Sequence, residues 1–146
     1  MTRTVPEGWP AQWVTPIQPG DSDTLNAVAS FHEWLIAFKG KSIHRLTGTW
    51  PEYEVAPLEV KGVNDSGGIG VAHQGCLVHA GNMLLALTRE GLIGIERYGG
   101  VTADLRARRL SGPINDLWTA LDYEQVVGGI FDRRRQTVMF FVNGAA

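Results

Sequence analysis

"GNMLLALTREGLIGIERYGG" (Gly81–Gly100) decides how this chain is read. It runs apolar, then polar, then apolar again, with Gly91 at the seam. Short apolar runs bounded by turn residues read as buried strands, since a helix needs more length. Arg89-Glu90-Gly91 is turn chemistry of the hairpin kind. The stretch therefore predicts strands at Met83–Leu87 and Leu92–Arg97. Its lead-in, "GCLVHAGN", adds a strand at Cys76–His79 and a turn at Ala80-Gly81-Asn82.

Two other stretches have the same grammar. "NAVASFHEWLIAFKGKSIHRLTG" (Asn26–Gly48) reads as strand, tight turn, strand, Gly-Lys turn, strand. "VVGGIFDRRRQTVMFFVNG" (Val126–Gly144) reads as strand, a turn through Asp132–Gln136, strand. The apolar cores begin at Leu35, Leu84 and Val138, so the period is roughly 50 residues, as in β-propeller blades. The cores do not alternate strictly, which fits strands covered on both faces. The expected fold is all-β, with propeller-like blades of short antiparallel strands in a partial propeller or a ring completed by oligomerisation. The alternative is a β-sandwich or barrel, whose strands alternate more cleanly and recur more closely.

The composition agrees. The 146 residues suit one domain, and 44% hydrophobic with 19% charged residues suffices for a packed core. A net charge of −2 does not favour nucleic acid or an anionic membrane. Cys76, the single cysteine, has no partner for an internal disulfide. No apolar signal segment follows Met1, and no apolar run is long enough to span a bilayer as a helix. Residues 1–24 hold Pro6, Pro10, Pro16 and Pro19 and read as an extended arm with a short strand at Gln12–Ile17; residues 25–146 read as two blade units and an incomplete third. "SGPINDLWTALD" (Ser111–Asp122) is the one helical candidate, with Ser111 as N-cap and Pro113 early.

These strings resemble the propeller repeats of tailed-bacteriophage virion proteins, of the tail-associated and packaged-DNA stabilisation type. The likeness runs from about Leu25 to Gly144. It is carried by "LLALTREGLIGIERYGG" after a Gly-rich lead-in, and by Phe131-Asp132-Arg133-Arg134-Arg135 before Val138–Val142. It implies a structural virion protein, assembled in the host cytoplasm, at the tail or the head-tail junction. Its partners would be other virion proteins and copies of itself, in a homo-oligomer without enzymatic activity or cofactor. The departure is size, because family members usually carry enough blades to close a ring. Completion by several copies is expected, with the arm of the same or a neighbouring copy supplying a missing strand.

Several motifs bear on chemistry. "NDSGG" (Asn64–Gly68) has the look of a serine-protease nucleophile segment, but the chain is too short for that double barrel, and a polar loop is the plainer reading. "HQGCLVH" brings His73, Cys76 and His79 near in sequence, yet on a strand His73 and His79 stand too far apart for one metal ion. No metal site is expected. Arg106, Arg108, Arg133, Arg134 and Arg135, with Trp9 and Trp13 of the arm, are the expected partner-contact residues. The arginines also suit phosphate, although nucleic acid is not favoured given the acidic residues around them. In "TWPEYE", Trp50, Glu52 and Tyr53 form an aromatic and carboxylate group suited to a sugar. That supports the alternative function, a carbohydrate-binding lectin or host-receptor module.

Overall fold

A computed structural model describes residues 15–17, 21–49, 52–61, 68–100, 102–110 and 123–143. These residues form an all-β structure of three sheets, with 3-10 turns and no α-helix among them. The first sheet is an antiparallel meander of β1 (Leu25–Phe31), β2 (Trp34–Lys39), β3 (Ile43–Thr49) and β4 (Glu52–Pro57). The second contains β6 (Leu77–Ala80), β7 (Met83–Thr88), β8 (Gly91–Tyr98) and β9 (Asp104–Arg109), again an antiparallel meander. Two residues that follow the first sheet, β5 (Val60–Lys61), add to its outer edge parallel to β9. The third sheet is a hairpin, β10 (Val126–Asp132) with β11 (Thr137–Val142). The sheets do not close on one another.

The apolar cores fall where the repeat predicts. Leu35, Leu84 and Val138 are each the second residue of the second strand of their sheet. The registers agree: Leu35 opposes Leu46 as Leu84 opposes Ile95. Three elements differ from the sequence reading. Glu52–Pro57, given no strand in the sequence reading, is β4. The basic run Arg106–Arg109, read as a partner-contact cluster and given no strand, lies in β9, where Leu105 and Ala107 alternate inward between outward arginines. Cys76 ends a 3-10 turn, Gln74–Cys76, and the strand after it starts at Leu77. The helical candidate at Ser111–Asp122 lies outside the described residues.

The faces of the sheets follow from register, because directly opposed residues share a face. One face of the first sheet, here its front, carries Ala29, Phe31, Trp34, Ile36, Phe38 and Ile43. They form one core with Leu84, Ala86, Ile93, Ile95, Leu105 and Ala107, which share the back face of the second sheet. Leu84, Ile93 and Ile95 are fully buried there. Two ion pairs cross the same junction, Arg45 with Asp104 and Arg97 Nε with Glu33 Oε1 at 3.3 Å.

The front of the second sheet is covered in turn by the back of the third. Val78 and Leu85 oppose each other on that front and are buried. Gly129 opposes Phe140 on the back of the hairpin, and a Cβ at Gly129 would run into Val78 Cγ2. Glycine is required here because the two sheets approach closely. By position, Val138 and Phe140 on the back of β11 match Leu84 and Ala86 on the back of β7. Both junctions therefore join a front to a back, and the stack has one direction.

Side chains of the connecting segment seal the first sheet's edge. The Gln74 amide accepts from Val28 N and donates to Val28 O, both at 2.9 Å, taking the place of a neighbouring strand on β1. Such pairing satisfies edge groups that otherwise invite association.

Candidate functional site

A one-directional stack of three sheets has two outer faces on which no further sheet packs among the described residues. The first is the front of the third sheet. Ile130 and Met139 oppose each other there, with Phe141 beside them. They are 49%, 41% and 50% exposed. Val127 and Val142 are exposed at the same hairpin. The sequence marks this face: "VMFF" is apolar at successive positions, so β11 carries apolar groups on both faces. Val138 and Phe140 use one face against the second sheet, and Met139 and Phe141 are left over. Among the described residues, strand β11 pairs only with β10.

The second open face is the back of the first sheet. Val28, Leu35 and Tyr53, which opposes Gly48, are exposed on it, whereas Ala37, Lys39, His44 and Leu46 on the same back are buried. One end of this face is occupied by residues just before β1. Lys39, buried on the back of β2, donates from Nζ to both Asp21 carboxylate oxygens at 2.6 Å and to Ile17 O at 3.1 Å. The Asp23 carboxylate accepts from the amides of Gly40 (3.1 Å) and Lys41 (2.8 Å), fastening the same segment to the β2–β3 turn. The described part of the arm is thus anchored on its own first sheet.

The electrostatics of this end follow from burial and from Lys39. The hydrogen bond from Lys39 holds the Asp21 carboxyl below its ordinary value, helped by the Asp23 amide. His44, buried and 3.0 Å from Ser42 Oγ, is pushed down by burial and further by the Lys39 charge. The imidazole is kept neutral, which suits a packed histidine rather than a charged one.

A cleft of about 500 Å³ opens between the β2–β3 and β7–β8 turns, over residues 68–73. Lys41 and Arg89 line it together with Asp23, Glu90 and Glu124. Asp23 is committed to the turn amides, and the Thr88 hydroxyl donates to Gly91 O at 2.8 Å. Neither supplies a nucleophile paired with a base.

The sequence-derived sites are dispersed. Arg106 and Arg108 stand on the front of the second sheet beside Glu96: Arg106 Nε lies 2.9 Å and Arg108 Nε 3.7 Å from Glu96 Oε1. Arg106 also lies 5.5 Å from the centre of the Tyr98 ring. Arg133, Arg134 and Arg135 occupy the exposed β10–β11 turn, where Asp132 Oδ1 accepts from the Arg134 (2.9 Å) and Arg135 (3.3 Å) amides. The two basic groups thus belong to different sheets, each partly offset by one carboxylate, Glu96 for Arg106 and Arg108 and Asp132 for Arg135. Trp9, Trp13 and Trp50 lie outside the described residues. Glu52 and Tyr53 are neighbours on β4.

The metal reading of His73, Cys76 and His79 gains nothing from the geometry. His73 Nδ1 accepts from Gly75 N at 3.1 Å, and no metal-binding group of three His, Cys, Asp or Glu occurs among the described residues. Burial pushes the Cys76 thiol up, away from the thiolate that coordination or nucleophilic attack requires. What the sequence reading missed are Val28 and Leu35 on one open face, and Ile130, Met139 and Phe141 on the other. The signal for the latter was the doubly apolar β11. No helix among the described residues is long and apolar enough to cross a membrane.

No family model, curated protein or solved structure matches this chain.

Proposed function

We propose that the chain is a non-enzymatic structural module whose sheets act as blades of a propeller-like assembly. Its open faces are covered by protein in the assembled state. The observation that carries this reading is the front of the third sheet. Strand β11, apolar on both faces and covered on one, presents Met139 and Phe141, with Ile130 of β10 beside them, to whatever completes the stack. Contiguous exposed apolar surface of this kind marks protein contact in a soluble chain.

The setting we propose is the particle of a tailed phage, at the tail or the head-tail junction. Support for it is the likeness of residues 25–144 to propeller repeats of virion proteins, and its tests are independent of the fold. Mass spectrometry of purified particles made by the genome that encodes the chain should find it as a stoichiometric component. Its absence from particles would overturn the virion role. Binding on a glycan array that Trp50→Ala abolishes would replace that role with a lectin's.

A further inference from the structure

We propose that the occupant of the open front is the back of the first sheet of a second copy, so that two chains close a ring of six sheets. This rests on the propeller-like reading above and names its partner. The argument begins with the two junctions inside the chain, which share one polarity: the front of one sheet meets the back of the next. Extending that operation once more places Ile130, Met139 and Phe141 against the back of the first sheet, where Val28 and Leu35 are exposed on the inner two strands and Leu46 on β3 is already buried.

The two surfaces correspond. Leu35 on the first sheet's back holds the position that Leu84 and Val138 hold where a back is covered. The third sheet is two strands wide, so its front needs apolar partners only on the inner two strands of the sheet it meets; Val28 lies on β1 and Leu35 on β2. The second sheet follows the same rule. Its front is apolar at Val78 and Leu85 beneath the hairpin, and charged at Glu96, Arg106 and Arg108 beyond it. At the rim, the ion pair between Glu33 and Arg97 has no equivalent, because Gly48 replaces Arg97 by register. Tyr53 stands opposite Gly48, an exposed ring suited to the guanidinium groups of the β10–β11 turn.

The number of copies follows from closure. Blade rings close with four to eight sheets. Two copies supply six; one or three copies fall outside that range. Head-to-tail contacts form a ring when the rotation closes, and each junction then occurs twice.

The test is solution mass by light scattering and native mass spectrometry, over a dilution series of the full chain. The expected species is twice the 16.0 kDa chain mass, dissociating on dilution. Phe141→Glu removes the front and Leu35→Glu the back; both sites are exposed in the single chain, so both variants should keep the wild-type circular dichroism and run as monomers. Mixed together they regain one native junction, and a 1:1 heterodimer should appear that neither variant forms alone. A wild-type monomer at all concentrations overturns the inference. So does a mass of three or more copies, or a dimer that Phe141→Glu breaks and Leu35→Glu does not. A monomer found in particles would leave the structural role standing and sink the self-association alone.

Discussion

Leu84 and Leu35 occupy the same place in neighbouring sheets and have opposite surroundings. Leu84 is fully buried between the first and second sheets, whereas Leu35 is 41% exposed on the back of the first. Residue type, strand and register are shared. The difference is whether a front lies against the back they sit on. Burial at this position therefore depends on the stacked neighbour, although Ala37, His44 and Leu46 on the same back are buried without one.

The sharpest way to break this comparison is truncation of both leucines. Leu84→Ala should cost about 2–5 kcal/mol, the range for emptying a packed core site. Leu35→Ala should cost well under about 1 kcal/mol in the dilute chain, as surface substitutions do. Urea denaturation at fixed low concentration measures both. Equal losses would mean that the two positions share an environment.

Next in size is the second junction. Gly129→Ala places a methyl against Val78, and the neighbour's flexible end can give only partly. A loss of about 1–3 kcal/mol is expected, typical of overpacking. Val78→Ala in the same chain should recover part of it. No recovery would show that the two residues are not in contact.

A smaller effect concerns the covered end of the first sheet's back. His44 is pushed below its ordinary value of 6.5, so near that pH the unfolded chain binds more protons than the folded one. Stability should fall as pH drops from 7.5 to 5.5, and His44→Gln should flatten that slope. A slope unchanged by the substitution would show that the imidazole is not held neutral by its surroundings.

Smallest of all is Arg106→Ala. Its partner Glu96 and the Tyr98 ring lie on the solvent-facing half of the second sheet's front, where ion pairs are worth about 0.2–1 kcal/mol. A larger loss in a thermal melt would indicate that this half is covered as well.

Much of this architecture was legible in the chain. The hairpin turns at Gly81-Asn82 and Arg133–Gln136, and the recurrence of the apolar cores, placed the second strand of every sheet. Strand β9 was hidden because its outward positions are arginines, and charge masked the inward Leu105 and Ala107. Strand β4 was hidden because Glu52, Glu54 and Pro57 leave few apolar residues to mark a strand. The two residues of β5 are too short for any period to register. The open faces were half legible. Doubly apolar β11 signals cover on both sides, but only the register of Gly129 with Phe140 says which side is already covered. The basic clusters misled because a run of arginines looks the same whether it faces a partner or a neighbouring glutamate, as Arg106 does with Glu96.

The front-to-back stacking is tested most directly by a cross-link across the second junction. In a Cys76→Ala background, Val78→Cys and Gly129→Cys place two thiols where the sheets touch. Mild oxidation of the dilute chain should close an intramolecular disulfide in nearly every molecule, seen as a mass loss of two hydrogens and one peptide linking the two sites. Two thiols that stay free and titratable after oxidation, in a chain that retains its β-sheet spectrum, would contradict the stacked arrangement.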